Sequence, residues 1–305
     1  MVAHATGRYA PSPSGDLHIG NLRTALIAWA CARKAGLGFV MRMENLDDRA
    51  RPEYVETQLR DLAEIGIDWD GDVLFQSERT SAYAAVVRHL LEQDLLYECY
   101  CTRADIRDAP RAPHKPPGAY PGTCRDLTPE EREAGRAKLA PMNRGPALRL
   151  RTTGEALTVT DRVCGSFTGY IDDFVIRRGD GAYAYNLVAV VDDEHQQVRQ
   201  VVRADDLLES TPRQVYLQRL LGYEMPEYIH VPLVLNPRGQ RLAKRDGAVT
   251  LRELHASGWS TKQIFSLISS SLGIESDNVV DFVERFEVDQ MQREPWFFDP
   301  SGPRI

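Results

Sequence analysis

Gly7-Arg-Tyr-Ala-Pro-Ser-Pro-Ser-Gly-Asp-Leu-His-Ile-Gly20 is the stretch on which the reading of this 305-residue chain turns. Gly7–Ala10 has the character of a short strand, Pro11-Ser-Pro-Ser-Gly15 is rich in turn residues, and His18-x-Gly20 enters a helix. A helix N-terminus presents free N–H groups and a partial positive charge, which together favour a phosphate. A glycine in the first turn lets a base or a ribose approach the backbone closely. The His18 imidazole can donate to a phosphate oxygen where charge develops during displacement. Taken singly, a His-x-Gly at a helix start is more often a satisfied histidine, so its weight depends on what surrounds it.

Working outward, the helix runs from about Leu17 to Lys34, with Ile19, Leu22, Leu26 and Trp29 at helical spacing and Gly36 placed to end it. Phe39–Met43 reads as a second strand, Pro52 suits the first turn of a helix continuing to about Ile65, and Glu78–Leu95 reads as another helix. This β-α-β opening predicts a parallel sheet with right-handed crossovers. From Tyr97 to about Asn143 the prolines, glycines and three cysteines predict an insertion with little regular structure. Strands follow at Ala147–Arg151, Leu157–Thr160, Phe174–Arg177, Val198–Arg203 and Tyr228–Leu235, with a helix near Pro212–Leu221. Everything after Leu251 reads as helix, with Ile264, Leu267 and Ile268 on one stripe.

Composition bounds the class. Apolar content of 43% and charged content of 27% are ordinary for a soluble globular chain, and no apolar run reaches the roughly 20 residues of a bilayer span. The first residues lack a basic and apolar signal segment, so a cytoplasmic location is expected. A net charge of −7 argues against nucleic acid on its face, yet basic residues outnumber acidic ones between Arg103 and Arg151. Charge is felt over about a Debye length, roughly 8–10 Å, so a basic surface on an acidic protein can still meet a phosphate backbone. Five cysteines, an odd number, argue against a disulfide framework; Cys31 and Cys164 read as core residues.

Three of the cysteines cluster in the insertion: Cys99-Tyr-Cys101, then Cys124. Thiolates this close suggest a structural Zn²⁺ that orders a segment poor in apolar residues. The residues alone leave the fourth ligand open between His114, the chemically usual choice, and Tyr120, whose phenol must lose a proton. Three buried free thiols without metal are the plainer alternative.

The opening stretch resembles the class I aminoacyl-tRNA synthetases, whose first signature is His-Ile-Gly-His after a strand; here it is His18-Ile19-Gly20-Asn21. Arg8-Tyr-Ala-Pro-Ser-Pro-Ser-Gly15 and Met41-Arg-Met-Glu-Asn-Leu-Asp47 resemble the glutamate-specific branch, with Asn45 where that branch usually has Asp. Arg241-Leu-Ala-Lys-Arg245, just after a strand, resembles the second signature, a mobile lysine loop; Lys244 matches its second lysine, Arg241 keeps a charge at the first, and Ala243 lacks the usual hydroxyl. The resemblance implies that His18, Gly20 and Lys244 serve catalysis and that His18, Gly20, Asn21, Arg241 and Lys244 hold ATP, with Mg²⁺ neutralising its phosphates. It further implies an L-glutamate pocket lined by Arg8, Tyr9, Ala10, Pro11 and Ser12, with Glu44 on the α-ammonium. Ala184-Tyr-Asn-Leu-Val-Ala-Val-Val-Asp-Asp193 and Val201-Val-Arg-Ala-Asp-Asp-Leu207 resemble two further stretches of the branch, which puts Tyr185 and Arg203 on the substrate. A planar guanidinium suits a carboxylate because its fork binds bidentately.

The resemblance covers roughly residues 7–250 and is strongest to the glutamyl-queuosine tRNA(Asp) synthetase family, whose Cys-x-Cys…Tyr-x-x-x-Cys pattern is reproduced and implies Cys99, Cys101, Tyr120 and Cys124 as zinc ligands. The chain ends about 55 residues after its lysine loop, too few for a large anticodon-binding domain. The implied activity is formation of glutamyl-adenylate and transfer of glutamate to queuosine in the anticodon of tRNA(Asp). Rival readings are a truncated synthetase charging tRNA(Glu), a nucleotidyltransferase with a small acceptor, and a non-catalytic paralogue. The expected architecture is α/β: a doubly wound parallel, Rossmann-type domain in two halves (1–98 and 146–250), an irregular zinc-binding insertion (99–145) and a short helical C-terminal region (251–305), acting as a monomer.

Overall fold

The computed structural model describes residues 5–108, 119–242 and 249–300. Lys244, Ala243 and His114 lie outside the described residues. The strands are β1 (Thr6–Tyr9), β2 (Gly38–Met43), β3 (Leu74–Phe75), β4 (Leu96–Cys99), β5 (Ala147–Leu150), β6 (Ala156–Asp161), β7 (Gly165–Tyr170), β8 (Val175–Arg177), β9 (Val198–Ala204), β10 (Glu227–Val231), β11 (Val234–Leu235) and β12 (Trp296–Phe297). The helices are α1 (Ile19–Lys34), α2 (Pro52–Glu64), α3 (Thr80–Glu92), α4 (Arg103–Asp108), α5 (Pro129–Leu139), α6 (Tyr185–His195), α7 (Thr211–Leu221), α8 (Leu251–Ala256), α9 (Thr261–Ser270) and α10 (Val279–Arg285).

The main sheet has the order β3-β2-β1-β9-β10-β6-β7 and is parallel except at its β6–β7 edge. β1 therefore neighbours β9, from the far end of the sequence, and the order reverses beside it. In such sheets ligands bind beyond the carboxyl ends of the strands at this reversal. α1 is apolar around most of its circumference and accordingly lies buried between the sheet and the C-terminal helices. Leu22 and Leu26 are fully enclosed, and truncating either to alanine costs about 2–5 kcal/mol. A second apolar cluster covers the opposite face of the sheet, which completes the doubly wound arrangement. Among the described residues no helix is long and apolar enough to cross a membrane.

Three expectations need correction. The insertion is more regular than its prolines suggest, because α4 and α5 form within it. Thr128 caps α5 and Glu131 returns the bond to the Thr128 amide, with Pro129 in the first turn, so the Thr-Pro-Glu-Glu sequence builds a capping box. The tail is not wholly helical: Trp296–Phe297 forms β12 and pairs in parallel with β11, flanked by Pro295 and Pro300, which disfavour helix. Cys164 sits in the β6–β7 turn and is exposed, whereas Cys31 on α1 is buried as expected. A smaller antiparallel sheet, β4-β5-β8, carries the insertion, with strands drawn from both sides of it.

Candidate active site and metal centre

A cavity of about 610 Å³ opens at the carboxyl ends of β1, β2 and β9. It brings together all eight residues expected at the amino acid: Arg8, Tyr9, Ala10, Pro11 and Ser12 from the first strand and turn, then Glu44, Tyr185 and Arg203. His18 and Asn21 line the same cavity, so the residues expected at the nucleotide and those expected at the amino acid share one continuous space. A second hollow of about 220 Å³ adjoins it, lined by His18, Gly20, Asn21 and Arg241 among others.

His18 is the N-cap of α1. Its Nδ1 accepts the Asn21 amide at 3.2 Å, and the Asn21 side chain accepts the His18 amide at 3.1 Å. Asn21 thus completes a reciprocal cap. Because Nδ1 is an acceptor, the ring proton of the neutral form resides on Nε2. Burial pushes the imidazole below its ordinary pKa, which keeps it neutral near pH 7. Gly20 has no room for a side chain: a Cβ there would stand 3.0 Å from the His18 ring and 3.1 Å from Val234 Cβ. The glycine lets the first turn of α1 pack against β11.

The amino-acid end is built on buried charge. Arg8 donates to the Val202 carbonyl at 2.7 Å and faces Asp193 at 3.6 Å. Arg42 pairs with the same Asp193 oxygen at 2.8 Å and with Glu44 at 3.7 Å. Burial raises the Glu44 carboxyl above its ordinary value, against the pull of Arg42 and Arg8. Asn45 does not hold Glu44; it exchanges hydrogen bonds with Ser77 at 2.8 and 2.9 Å.

Every N–H of the Arg203 guanidinium has an acceptor. Nε donates to His230 Nε2 at 3.0 Å, Nη1 to Tyr185 Oη at 3.1 Å and Gln214 Oε1 at 2.8 Å, and Nη2 to Thr211 Oγ1 at 2.8 Å and the Leu207 carbonyl at 3.5 Å. Accepting from a cation leaves the Tyr185 hydroxyl its own proton to donate, and Tyr185 lines the cavity. Asn186, next to Tyr185, accepts from Gln214 at 3.3 Å and so steadies one of these partners. Sequence reasoning gave no role to Arg42, Asp193, His230, Asp161 or Thr211. The one visible signal was the double aspartate ending Ala184–Asp193, whose second member neutralises two arginines.

The lysine-loop end reaches the site through Arg241, which pairs with Asp206 at 2.6 Å. Residues just after the loop bind the first signature directly: the Ile19 amide donates to the Val249 carbonyl at 2.8 Å, and Arg252 pairs with Asp16 at 2.7 Å.

In the insertion Cys99, Cys101 and Cys124 place their sulfurs within 4.8 Å of one another. Cys101 and Cys124 sulfurs are 3.5 Å apart, near the about 3.8 Å edge of a tetrahedron with 2.3 Å Zn–S bonds. Tyr120 Oη lies 3.3 Å from Cys99 Sγ and 3.8 Å from Cys101 Sγ, so it occupies the fourth corner. The Cys124 amide donates to that phenol oxygen at 2.9 Å and the Tyr100 amide to Cys124 Sγ at 3.4 Å, both favouring anionic ligands. Arg149 stacks 3.6 Å above the Tyr120 ring. This soft, negatively biased donor set fits a tetrahedral Zn²⁺.

The family profile for tRNA synthetases class I (E and Q), catalytic domain, matches residues 4–296. The glutamyl-Q tRNA(Asp) synthetase of Nocardia farcinica is 53% identical over 296 residues, covering 97% of this chain and 94% of the relative. That of Symbiobacterium thermophilum is 42% identical, covering 95% and 94%. Among solved structures, a glutamate tRNA ligase from Elizabethkingia meningosepticum superposes with a TM-score of 0.80 at 23% identity, covering 97% of this chain and 67% of that one, a likeness of fold.

Proposed function

This chain belongs to the glutamyl-Q tRNA(Asp) synthetases, within the class I family for glutamate and glutamine, and from that premise we propose that it activates L-glutamate with ATP and passes it to queuosine in tRNA(Asp). The observation that carries the reading is the single cavity joining an arginine–tyrosine wall, a buried carboxylate and a helix N-terminus. In it the Tyr185 hydroxyl, backed by Arg203, meets one substrate carboxylate, and Glu44 takes the α-ammonium. The other carboxylate then faces the N-terminus of α1, where its oxygen attacks the α-phosphorus of ATP and pyrophosphate leaves. His18 donates from Nε2 to the phosphate oxygen on which charge builds. Gly20 and Asn21 line the nucleotide hollow, Arg241 and Lys244 close on the polyphosphate, and Mg²⁺ accompanies ATP to neutralise it.

Cys99, Cys101, Tyr120 and Cys124 are the proposed zinc ligands, and the ion's contribution is to cross-link the insertion. The queuosine diol would then take the glutamyl group from the adenylate, releasing AMP. The cytoplasm, where tRNA and ATP coexist, is the proposed compartment, with a monomer as the working unit. Residues 1–98 and 146–250 are the proposed halves of the nucleotide-binding domain, both contributing strands to the main sheet, around the 99–145 insertion.

Transfer of labelled glutamate to purified tRNA(Asp), with and without queuosine and beside tRNA(Glu), tests the acceptor. Label is expected only on queuosine-bearing tRNA(Asp). Label on tRNA(Glu) instead would make this a truncated synthetase of the ordinary kind, and absence of label together with absence of glutamate-dependent pyrophosphate exchange would overturn the enzymatic reading.

A further inference from the structure

Asp161 ends β6 and His230 lies within β10, and neither side chain has any exposure. Asp161 Oδ2 and His230 Nδ1 are 2.6 Å apart. The carboxylate also accepts the amides of Val163, Cys164 and His230 itself, at 2.8 to 3.2 Å. So many donors favour the ionised form, which makes Nδ1–H the donor of the pair and leaves a lone pair on Nε2. That lone pair faces Arg203 Nε at 3.0 Å and the Thr211 hydroxyl at 3.2 Å. Burial pushes His230 below its ordinary pKa, in keeping with a neutral ring against a guanidinium.

We propose that Asp161 and His230 are positioning residues: the aspartate fixes the imidazole tautomer, the imidazole holds Arg203 in place, and Arg203 in turn presents the Tyr185 hydroxyl to the carboxylate of the amino acid. The proposal rests on the glutamate reading above and deepens it. The opposite tautomer, or an imidazolium, would turn an N–H against the Arg203 Nε–H. Two donors facing each other at hydrogen-bond distance cannot both be satisfied in a dry site. Arg203 would then rotate away, and the Tyr185 hydroxyl would lose the cation behind it. Neither residue touches the cavity, so their effect falls on amino-acid binding and leaves the nucleotide hollow unaltered.

Two substitutions of similar volume separate positioning from support. His230→Gln offers its amide oxygen near the place of Nε2, whereas His230→Leu offers no acceptor; both leave Asp161 its three backbone donors. In glutamate-dependent pyrophosphate exchange, H230L is expected to raise the glutamate KM about tenfold or more, the loss of one buried hydrogen bond to a charge. The KM for ATP should stay within about twofold, and H230Q should recover most of the glutamate KM. Asp161→Asn, whose amide donates toward Nδ1 and so drives the proton to Nε2, should resemble H230L. If H230L and H230Q shift the glutamate KM equally, or if the ATP KM rises in step, the proposal is overturned. If neither His230 variant folds, D161N decides by the same split between the two KM values. A native enzyme without glutamate-dependent exchange would overturn the glutamate reading itself, and the proposal with it. Native activity with an unmoved glutamate KM in D161N would overturn the proposal alone.

Discussion

Arg42 and Asp193 form an ion pair 2.8 Å long in which the arginine side chain is 1% exposed and the aspartate 10%. The pair joins β2 to α6, and the same carboxylate neutralises Arg8. Removing one partner of a buried pair leaves a charge that cannot reach water. Asp193→Leu should therefore lower unfolding free energy by about 3–5 kcal/mol in urea titrations. The double variant R42M/D193L should regain part of that loss. Equal losses in the single and double variants would mean that the stranded charge is not the cause.

His18 caps α1 and is proposed to donate to a phosphate, and one substitution separates the two roles. Asparagine is a favoured N-cap and can accept the Asn21 amide, but it has no ring N–H to offer a phosphate. His18→Asn should keep the melting temperature close to that of the parent while kcat for pyrophosphate exchange falls about 10²–10³-fold, the usual loss of one transition-state donor. A large fall in melting temperature with kcat intact would reverse the assignment.

Asp61 on α2 has its carboxyl raised to about 6 by burial. The folded value lies above the unfolded one, about 3.9, so folding favours the protonated acid. The stability this confers is complete below pH ~4 and is lost as pH rises through about 6. Asp61→Asn, which carries no charge at any pH, should raise the melting temperature at pH 8 and bring little or no gain at pH 4. A gain of equal size at both values would show that ionisation is not what burdens the native state.

For the metal centre, the purified chain should carry stoichiometric zinc by atomic emission, and Cys101→Ser or Cys124→Ser should lose it. Cobalt substitution should give sulfur-to-metal charge-transfer bands. Tyr120→Phe should retain those bands but bind the ion more weakly, since three thiolates remain without the phenolate. Affinity unchanged by Y120F would place the fourth ligand elsewhere, and His114 would be the residue to replace next.

The parts of the site that are local in sequence were legible from it. His18, Gly20 and the turn before them announce a helix N-terminus because the residues that cap it lie within one helical turn. Cys99, Cys101 and Cys124 were legible as a cluster because they fall within one short segment, whereas Tyr120 was named only through resemblance; its hydroxyl lies beside the Cys99 and Cys101 sulfurs. Tyr185 and Arg203 could be named only through resemblance, since a tyrosine at a helix start and an arginine in a strand have many ordinary uses. The residues behind them were not legible. Asp161 and His230 are 69 positions apart and Arg42 and Asp193 are 151 apart, and only the sheet order, which sets β9 between β1 and β10, brings such pairs into contact. The α5 helix was missed for a different reason: prolines drew attention from the Thr128 and Glu131 cap that overrides them.

The parallel pairing of β12 with β11 has a practical side. The Trp296 amide binds the Leu233 carbonyl and the Phe298 amide that of Leu235, so the last described residues lie along the chain that leads into the lysine loop. A fluorescent fusion placed just after β12 would sit against the strand whose Val234 lines the smaller hollow, the end proposed for ATP, and would crowd it in a kinetic assay. β1, by contrast, has its amino end on the side of the sheet opposite the cavity, so a handle for purification or surface immobilisation is better placed ahead of that strand.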